Sequence, residues 1–210
     1  MKKIMFNDKY GLTQAVLEGR KTQTRRVLST TMFFQRLKTY EGWSNEDIRA
    51  WKRSCNRQLY ETQGYMLQQM LDYALSSSRY KVGEVVAVAQ KYKDIALDMP
   101  VELAAELIKQ PGWKNKMFVK ADLMPHRIRI TNIRIERLQD ISDEDCIAEG
   151  IYPKANGRWY CYDVVRRMGV SYDPYPDPRE AYAALIDKIS GKGTWESNPW
   201  VFVYDFEFVK

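Results

Sequence analysis

Trp200-Val201-Phe202-Val203-Tyr204-Asp205-Phe206-Glu207-Phe208 closes the chain with aromatic residues at every second position. In an extended backbone successive side chains point to opposite faces, so Trp200, Phe202, Tyr204, Phe206 and Phe208 share one apolar face of a strand. A strand of this kind needs a sheet and a core. Val85-Val86-Ala87-Val88-Ala89 supplies a second, buried strand after the turn Val82-Gly83-Glu84. Arg127 to Leu138 supplies a third with a fault in its pattern: Ile128 and Ile130 have one parity, Ile133 and Ile135 the other. A bulge near Thr131-Asn132 returns all four to one face.

Helices are interleaved with these strands. A brief one follows the turn Asn7 to Gly11, with Thr13 as its cap, Ala15, Val16 and Leu17 as apolar positions, and Gly19 at its left-handed end. Val101 to Lys109 forms another, closed by Pro111-Gly112. Ser142 to Glu149 forms a short capped helix ending at Gly150, and Pro178 opens a helix through Ser190 with Ala181, Ala184, Leu185 and Ile189 inward. From Ser44 to about Leu75 apolar residues recur at helical spacing, and Pro153 to Pro178 is rich in Tyr, Pro and Gly and reads as irregular. Four to six strands with helices out of regular alternation predict an α+β fold with a mixed or antiparallel sheet, curled into a small barrel.

The chain has 210 residues, with 45% hydrophobic and 29% charged content, enough for one well-buried core. Its apolar runs fall short of the ~18 residues of a membrane span, and Met1-Lys2-Lys3 is followed by no signal-like apolar stretch. The expectation is a cytoplasmic chain without a membrane partner. Cys55, Cys146 and Cys161 share no Cys-x-x-Cys spacing, which suits a reducing compartment. The single histidine, His126, sits beside Pro125 at a strand entrance and reads as a strand-edge side chain. No dinucleotide, phosphate-loop, zinc-protease or nucleophile-elbow motif occurs, so neither cofactor nor metal is expected.

Charge is distributed unevenly. Residues 1–60 carry 13 Lys and Arg against 5 Asp and Glu, while the remainder carries 20 against 22. Such asymmetry predicts an anionic partner, nucleic acid above all, met by the first sixty residues. A solvated cationic face is the alternative reading of the same charges. Their densest stretch is Gly19-Arg20-Lys21-Thr22-Gln23-Thr24-Arg25-Arg26. A lysine close to a threonine hydroxyl is the minimum for an amine-activated oxygen nucleophile, provided burial lowers the amine pKa. A basic strand edge would use the same residues.

Leu17-Glu18-Gly19-Arg20-Lys21-Thr22-Gln23-Thr24-Arg25-Arg26 resembles the N-terminal signature of the ASCH domain family, relatives of the PUA β-barrel, as found in phage and prophage proteins. Three later stretches resemble the same group: Val82 to Val88, Arg129 to Ile151 around Arg137-Leu138-Gln139-Asp140-Ile141-Ser142, and Ile189 to Val201. The resemblance spans nearly the whole chain as a single domain, residues 1–210, with residues 30–80 a mainly helical insertion. The family pattern Gly-x-Lys-x-x-Glu-x-Arg is met by Gly19, Lys21 and Arg26, but Thr24 stands where glutamate is expected. A threonine there is similar to the bacterial ASCH enzyme that hydrolyses the amide of N4-acetylcytidine with a lysine, a threonine and a later glutamate.

Carried over by motif, that catalytic set falls on Lys21, Thr24 and Glu149. A structural Lys21–Glu149 ion pair supporting the barrel is the competing assignment, and in a regular strand Lys21 and Thr24 would face opposite sides. The resemblance also implies binding of RNA or a modified nucleobase, with Arg20, Arg25 and Arg26 on phosphates and Trp195, Asn198 and Trp200 on a base. Lys52, Arg53 and Arg57 of the insertion would extend that track. Nucleic-acid or nucleobase binding, of RNA or a nucleoside ligand, is therefore expected first, and amide hydrolysis of an N4-acylated cytidine-like nucleoside second. Oligomeric state is not encoded in any of these features.

Overall fold

A computed structural model describes residues 1–28, 44–47, 49, 71–153, 157–160 and 175–209. Its centre is a five-stranded mixed sheet in the order β1 (Lys3–Ile4), β3 (Val85–Val88), β4 (Arg127–Arg137), β7 (Trp200–Val209) and β2 (Gln23–Val27). β1 runs parallel to β3, and every other pairing in the sheet is antiparallel. The fold is thus α+β, as the element pattern predicts. A separate hairpin pairs β5 (Tyr152–Pro153) with β6 (Trp159–Tyr160).

The bulge falls where the isoleucine parity places it, as a register shift between Ile130 and Asn132. Because of that one extra residue, Ile128, Ile130, Ile133 and Ile135 lie opposite Phe208, Phe206, Tyr204 and Phe202, all on one face. The other face brings Asn132, Arg134 and Glu136 opposite Asp205, Val203 and Val201. β7 lies between β4 and β2, so both its edges are hydrogen-bonded, and core packing covers both its faces at mid-strand. Val203 is 0% and Tyr204 2% exposed, whereas Phe208 near the end is 39% exposed.

β1 and β2 are the outer strands, and no pairing between them closes the sheet among the described residues. Strong curl nevertheless brings the two edges together. Arg26 on β2 donates to the Met5 carbonyl at 2.5 Å, one residue beyond β1, and the Phe6 and Phe206 rings lie 5.7 Å apart.

The Leu12–Leu17 helix begins after Gly11 rather than at Thr13. Thr13 lies inside the first turn, where its hydroxyl donates to Asp8 Oδ1 at 2.6 Å. Ser142 caps the Asp143–Ala148 helix by accepting from the Asp145 amide, and Asp177 caps the Pro178–Ser190 helix from Pro178 at its first position. A second apolar cluster gathers Ala87, Ala89, Tyr92, Ile95, Leu107, Val119 and Met124 around the connection from β3 to β4. Residues 45–47 and 71–76 are helical, and the rest of the expected insertion, Lys52, Arg53 and Arg57 included, lies outside the described residues. Most of the Tyr- and Pro-rich 154–174 stretch does too. No helix among the described residues is long and apolar enough to cross a membrane.

Candidate functional site

Gly19 is where the site begins. Its φ of +71° lets the chain reverse after the first helix. The Lys21 amide then bonds to Ala15 O and the Thr22 amide to Ala148 O, so regular strand starts only at Gln23. Strand alternation therefore does not govern Lys21, and the turn removes the parity conflict with Thr24. Lys21, Thr24 and Glu149, 1%, 4% and 4% exposed, line one cavity of about 770 Å³.

Glu149 ends the Asp143–Ala148 helix, and Gly150 beside it has a φ of +102°. Lys21 Nζ donates to Glu149 Oε2 and, at 2.8 Å, to the Glu149 backbone carbonyl. Burial lowers the Lys21 pKa below 10.5, outweighing the opposing pull of the Glu149 carboxylate. The amine stands 5.9 Å from the Phe6 ring centroid.

Arg25 occupies the neighbouring buried position on the opposite face from Thr24. Its guanidinium meets Glu136 at 2.6 Å, Asp145 at 2.7 Å and Glu149 at 3.4 Å, and also donates to Gln23 Oε1. Arg134 extends the network to Asp145 at 2.5 Å and Asp205 at 2.8 Å. These ion pairs fasten the Asp143–Ala148 helix to the sheet and hold Glu149 in place. Arg25 also lines the cavity, but its guanidinium is enclosed by carboxylates rather than turned toward a phosphate as the resemblance implies.

The other expected binding residues divide. Arg26 is exposed and lines the cavity. Arg20 pairs with Glu18 at 2.5 Å and lines a separate small hollow of about 90 Å³ beside Gly150. Trp195, Asn198 and Trp200 stand behind the cavity wall, where Trp195 packs edge-on against Tyr182, Asn198 Oδ1 accepts from the Gln139 amide at 2.9 Å and Arg137 covers the Trp200 ring at 4.4 Å. Their neighbours Thr194, Ser197 and Pro199 line the cavity instead. His126 stays at the strand edge, its Nδ1 2.7 Å from Gln90 Oε1, away from the cavity lining.

Tyr182 carries no signal in the sequence that separates it from a core aromatic. It lies in the Pro178–Ser190 helix, lines the cavity, and is 2% exposed. Its hydroxyl has no hydrogen-bond partner among the described residues. Burial and the nearby Glu149 carboxylate raise its pKa well above 10.0. Leu185, Ile186 and Ile189 of the same helix give the cavity an apolar side.

A second cavity of about 650 Å³ adjoins the first, sharing Met5, Arg26 and Val27 with it and reaching Arg79, Tyr80, Phe202 and Tyr204. Among the described residues no cluster of His, Cys, Asp or Glu is arranged to hold a metal ion. Comparison of the chain with protein families, characterised proteins and solved structures returns no match.

Proposed function

We propose that the chain is an ASCH-type amidohydrolase that removes the acyl group from an N4-acylated cytosine nucleoside or a close analogue. The observation that carries this reading is the convergence of Lys21, Thr24 and Glu149 on one cavity, with the Lys21 amine hydrogen-bonded to Glu149. A structural ion pair needs no cavity. The lowered Lys21 pKa supports the same assignment, since a base must be neutral to accept a proton. Curl of the sheet, with Arg26 bridging toward Met5, supports a PUA-like barrel as its frame.

In this mechanism the neutral Lys21 amine takes the Thr24 hydroxyl proton as Oγ attacks the acyl carbonyl carbon. The resulting oxyanion is stabilised by backbone amides. Collapse breaks the carbon–nitrogen bond, and the proton held by Lys21 passes through Glu149 to the departing amine. Water, deprotonated by the same pair, then cleaves the threonine ester to release the carboxylate and restore the hydroxyl. Incubation with N4-acetylcytidine tests the reading: cytidine and acetate appear in equal amounts, and Lys21→Ala or Thr24→Ala abolishes their release.

A second reading, RNA or modified-base binding without hydrolysis, is favoured by Arg26 lying between the two cavities, the second of which presents Phe202 and Tyr204 stacked at 5.8 Å. Salt-dependent RNA binding with no turnover of any acylated base would select it.

A further inference from the structure

Most of the positive charge around the cavity does not come from where the sequence concentrates it. Of the four cations between Arg20 and Arg26, Lys21 and Arg25 are buried against carboxylates and Arg20 is paired with Glu18, which leaves Arg26 facing the cavity. The mouth is instead formed by Lys9, Arg26, Lys91, Lys114 and Lys116. Three of these belong to the stretch between β3 and β4, in the part of the chain whose total charge is slightly negative. Folding collects them at one opening.

Asp8 is the one carboxylate at this mouth among the described lining residues; the cavity's other carboxylate, Glu149, is engaged by Lys21 and Arg25 within. Lys116 approaches Asp8 at 2.6 Å and Lys91 approaches it at 3.1 Å, with Asp94 outside the lining 4.0 Å from Lys91, so both amines are held at fixed positions by ion pairs. Lys116 is further anchored on the Phe6 carbonyl. Lys114 is exposed and makes no ion pair among the described residues. Five cations against Asp8 in the lining and Asp94 beside it, over an opening with low-dielectric walls, leave a net positive field directed into the cavity. A neutral nucleoside has no group that uses it. A cavity of about 770 Å³ has room for a base, a sugar and a phosphate together.

We infer that the cavity takes a phosphate-bearing nucleotide, its base toward Thr24 and Leu185 and its phosphate at the Lys9, Arg26, Lys91, Lys114 and Lys116 mouth. This rests on the proposed hydrolase reading for the identity of the base, but not for the anion. The phosphate is that of a free nucleotide or of one residue in an oligonucleotide, and the same cations serve either.

The test compares N4-acetylcytidine, its 5′-monophosphate and a short oligoribonucleotide carrying one N4-acetylcytidine, with cytidine and cytidine 5′-monophosphate as binding probes. At low salt the phosphorylated substrates are preferred in kcat/KM by about tenfold or more, and the preference shrinks as salt is raised. Lys114→Glu cuts the preference several-fold, because it lowers kcat/KM for the phosphorylated substrates more than for the neutral nucleoside. Preference for the oligonucleotide over the monophosphate assigns the phosphate to a nucleic-acid chain, and the reverse assigns it to a free nucleotide. If no substrate is hydrolysed but cytidine 5′-monophosphate still raises Tm more than cytidine does, the hydrolase reading fails and the anion inference stands. Equal handling of neutral and phosphorylated forms, or a preference that Lys114→Glu does not alter, overturns the inference.

Discussion

Lys21 holds Glu149 twice, through the carboxylate and through the backbone carbonyl, so one buried amine fixes both the side chain and the end of its helix. Removing the amine leaves the carboxylate buried with Arg25 at 3.4 Å as its remaining cation. Lys21→Met is therefore expected to cost ~3–5 kcal/mol, the usual penalty for breaking a buried pair from one side. Loss of activity in that variant does not separate chemistry from folding. Thr24→Val does, because it keeps shape and removes only the hydroxyl. Thr24→Val is expected to melt within a few degrees of the parent and to have no measurable turnover of N4-acetylcytidine; retained turnover would remove Thr24 as nucleophile.

The rate should depend on pH through Lys21. Burial favours its neutral form, so the amine loses its proton below the ordinary 10.5. With the neutral amine as the proposed base, kcat/KM rises with pH through that lowered pKa and levels above it. Stability moves the same way. The unfolded chain binds this proton more tightly than the folded one, so folding gains as pH rises between the two values. A kcat/KM profile with no rising limb anywhere below pH 10.5 would count against Lys21 as the base.

Elements whose signals are local were legible in the sequence. The isoleucine parity located the bulge, Ser142 and Pro178 marked helix starts, and the aromatic alternation marked the last strand. Pairing of β2 with β7 was not legible, because nothing in Gln23–Val27 specifies a partner 174 or more residues away. The Lys21, Thr24 and Glu149 set followed from motif resemblance, and its shared cavity depends on a turn at Gly19 that strand periodicity cannot anticipate. Counting charges does not show which cations reach the surface, for a related reason. A count treats Arg25 as solvent-facing, while its side chain is enclosed by Glu136, Asp145 and Glu149.

Acid should loosen the joint between the Asp143–Ala148 helix and the sheet. Burial raises the Asp145 pKa, but hydrogen bonds from Gln23 and Arg25 and the charges of Arg25 and Arg134 outweigh it, leaving the carboxyl below 3.8. A depressed carboxyl contributes stability that is complete above its unfolded pKa and is lost as pH falls through the folded one. Asp145→Asn is expected to lower Tm at neutral pH and to flatten the fall of Tm with acid below about pH 4. An unchanged acid limb would mean that the pair contributes nothing to folding.

Cys146 is 0% exposed, and burial pushes its thiol up to about 12. Thiolate is the reactive form, so the native thiol is inert. In the Cys55→Ser, Cys161→Ser background, a thiol reagent at mildly alkaline pH should label nothing until denaturant is added, and then one group per chain. Rapid labelling of the native protein would place Cys146 at an accessible surface.

Tyr182 offers a test of what its hydroxyl is for. A buried hydroxyl without a partner costs about 1–3 kcal/mol of desolvation. With the pKa held well above 10.0, the group stays neutral and available as a donor at any working pH. Tyr182→Phe removes the oxygen and keeps the ring edge-on to Trp195, whose centroid lies 6.3 Å away. Folding stability should then hold or rise, by up to a few degrees in Tm. If the hydroxyl instead serves the bound ligand, KM for N4-acetylcytidine rises in a variant that is no less stable than its parent. A fall in Tm on Tyr182→Phe would show that the hydroxyl bonds within the folded chain and would remove it from the site.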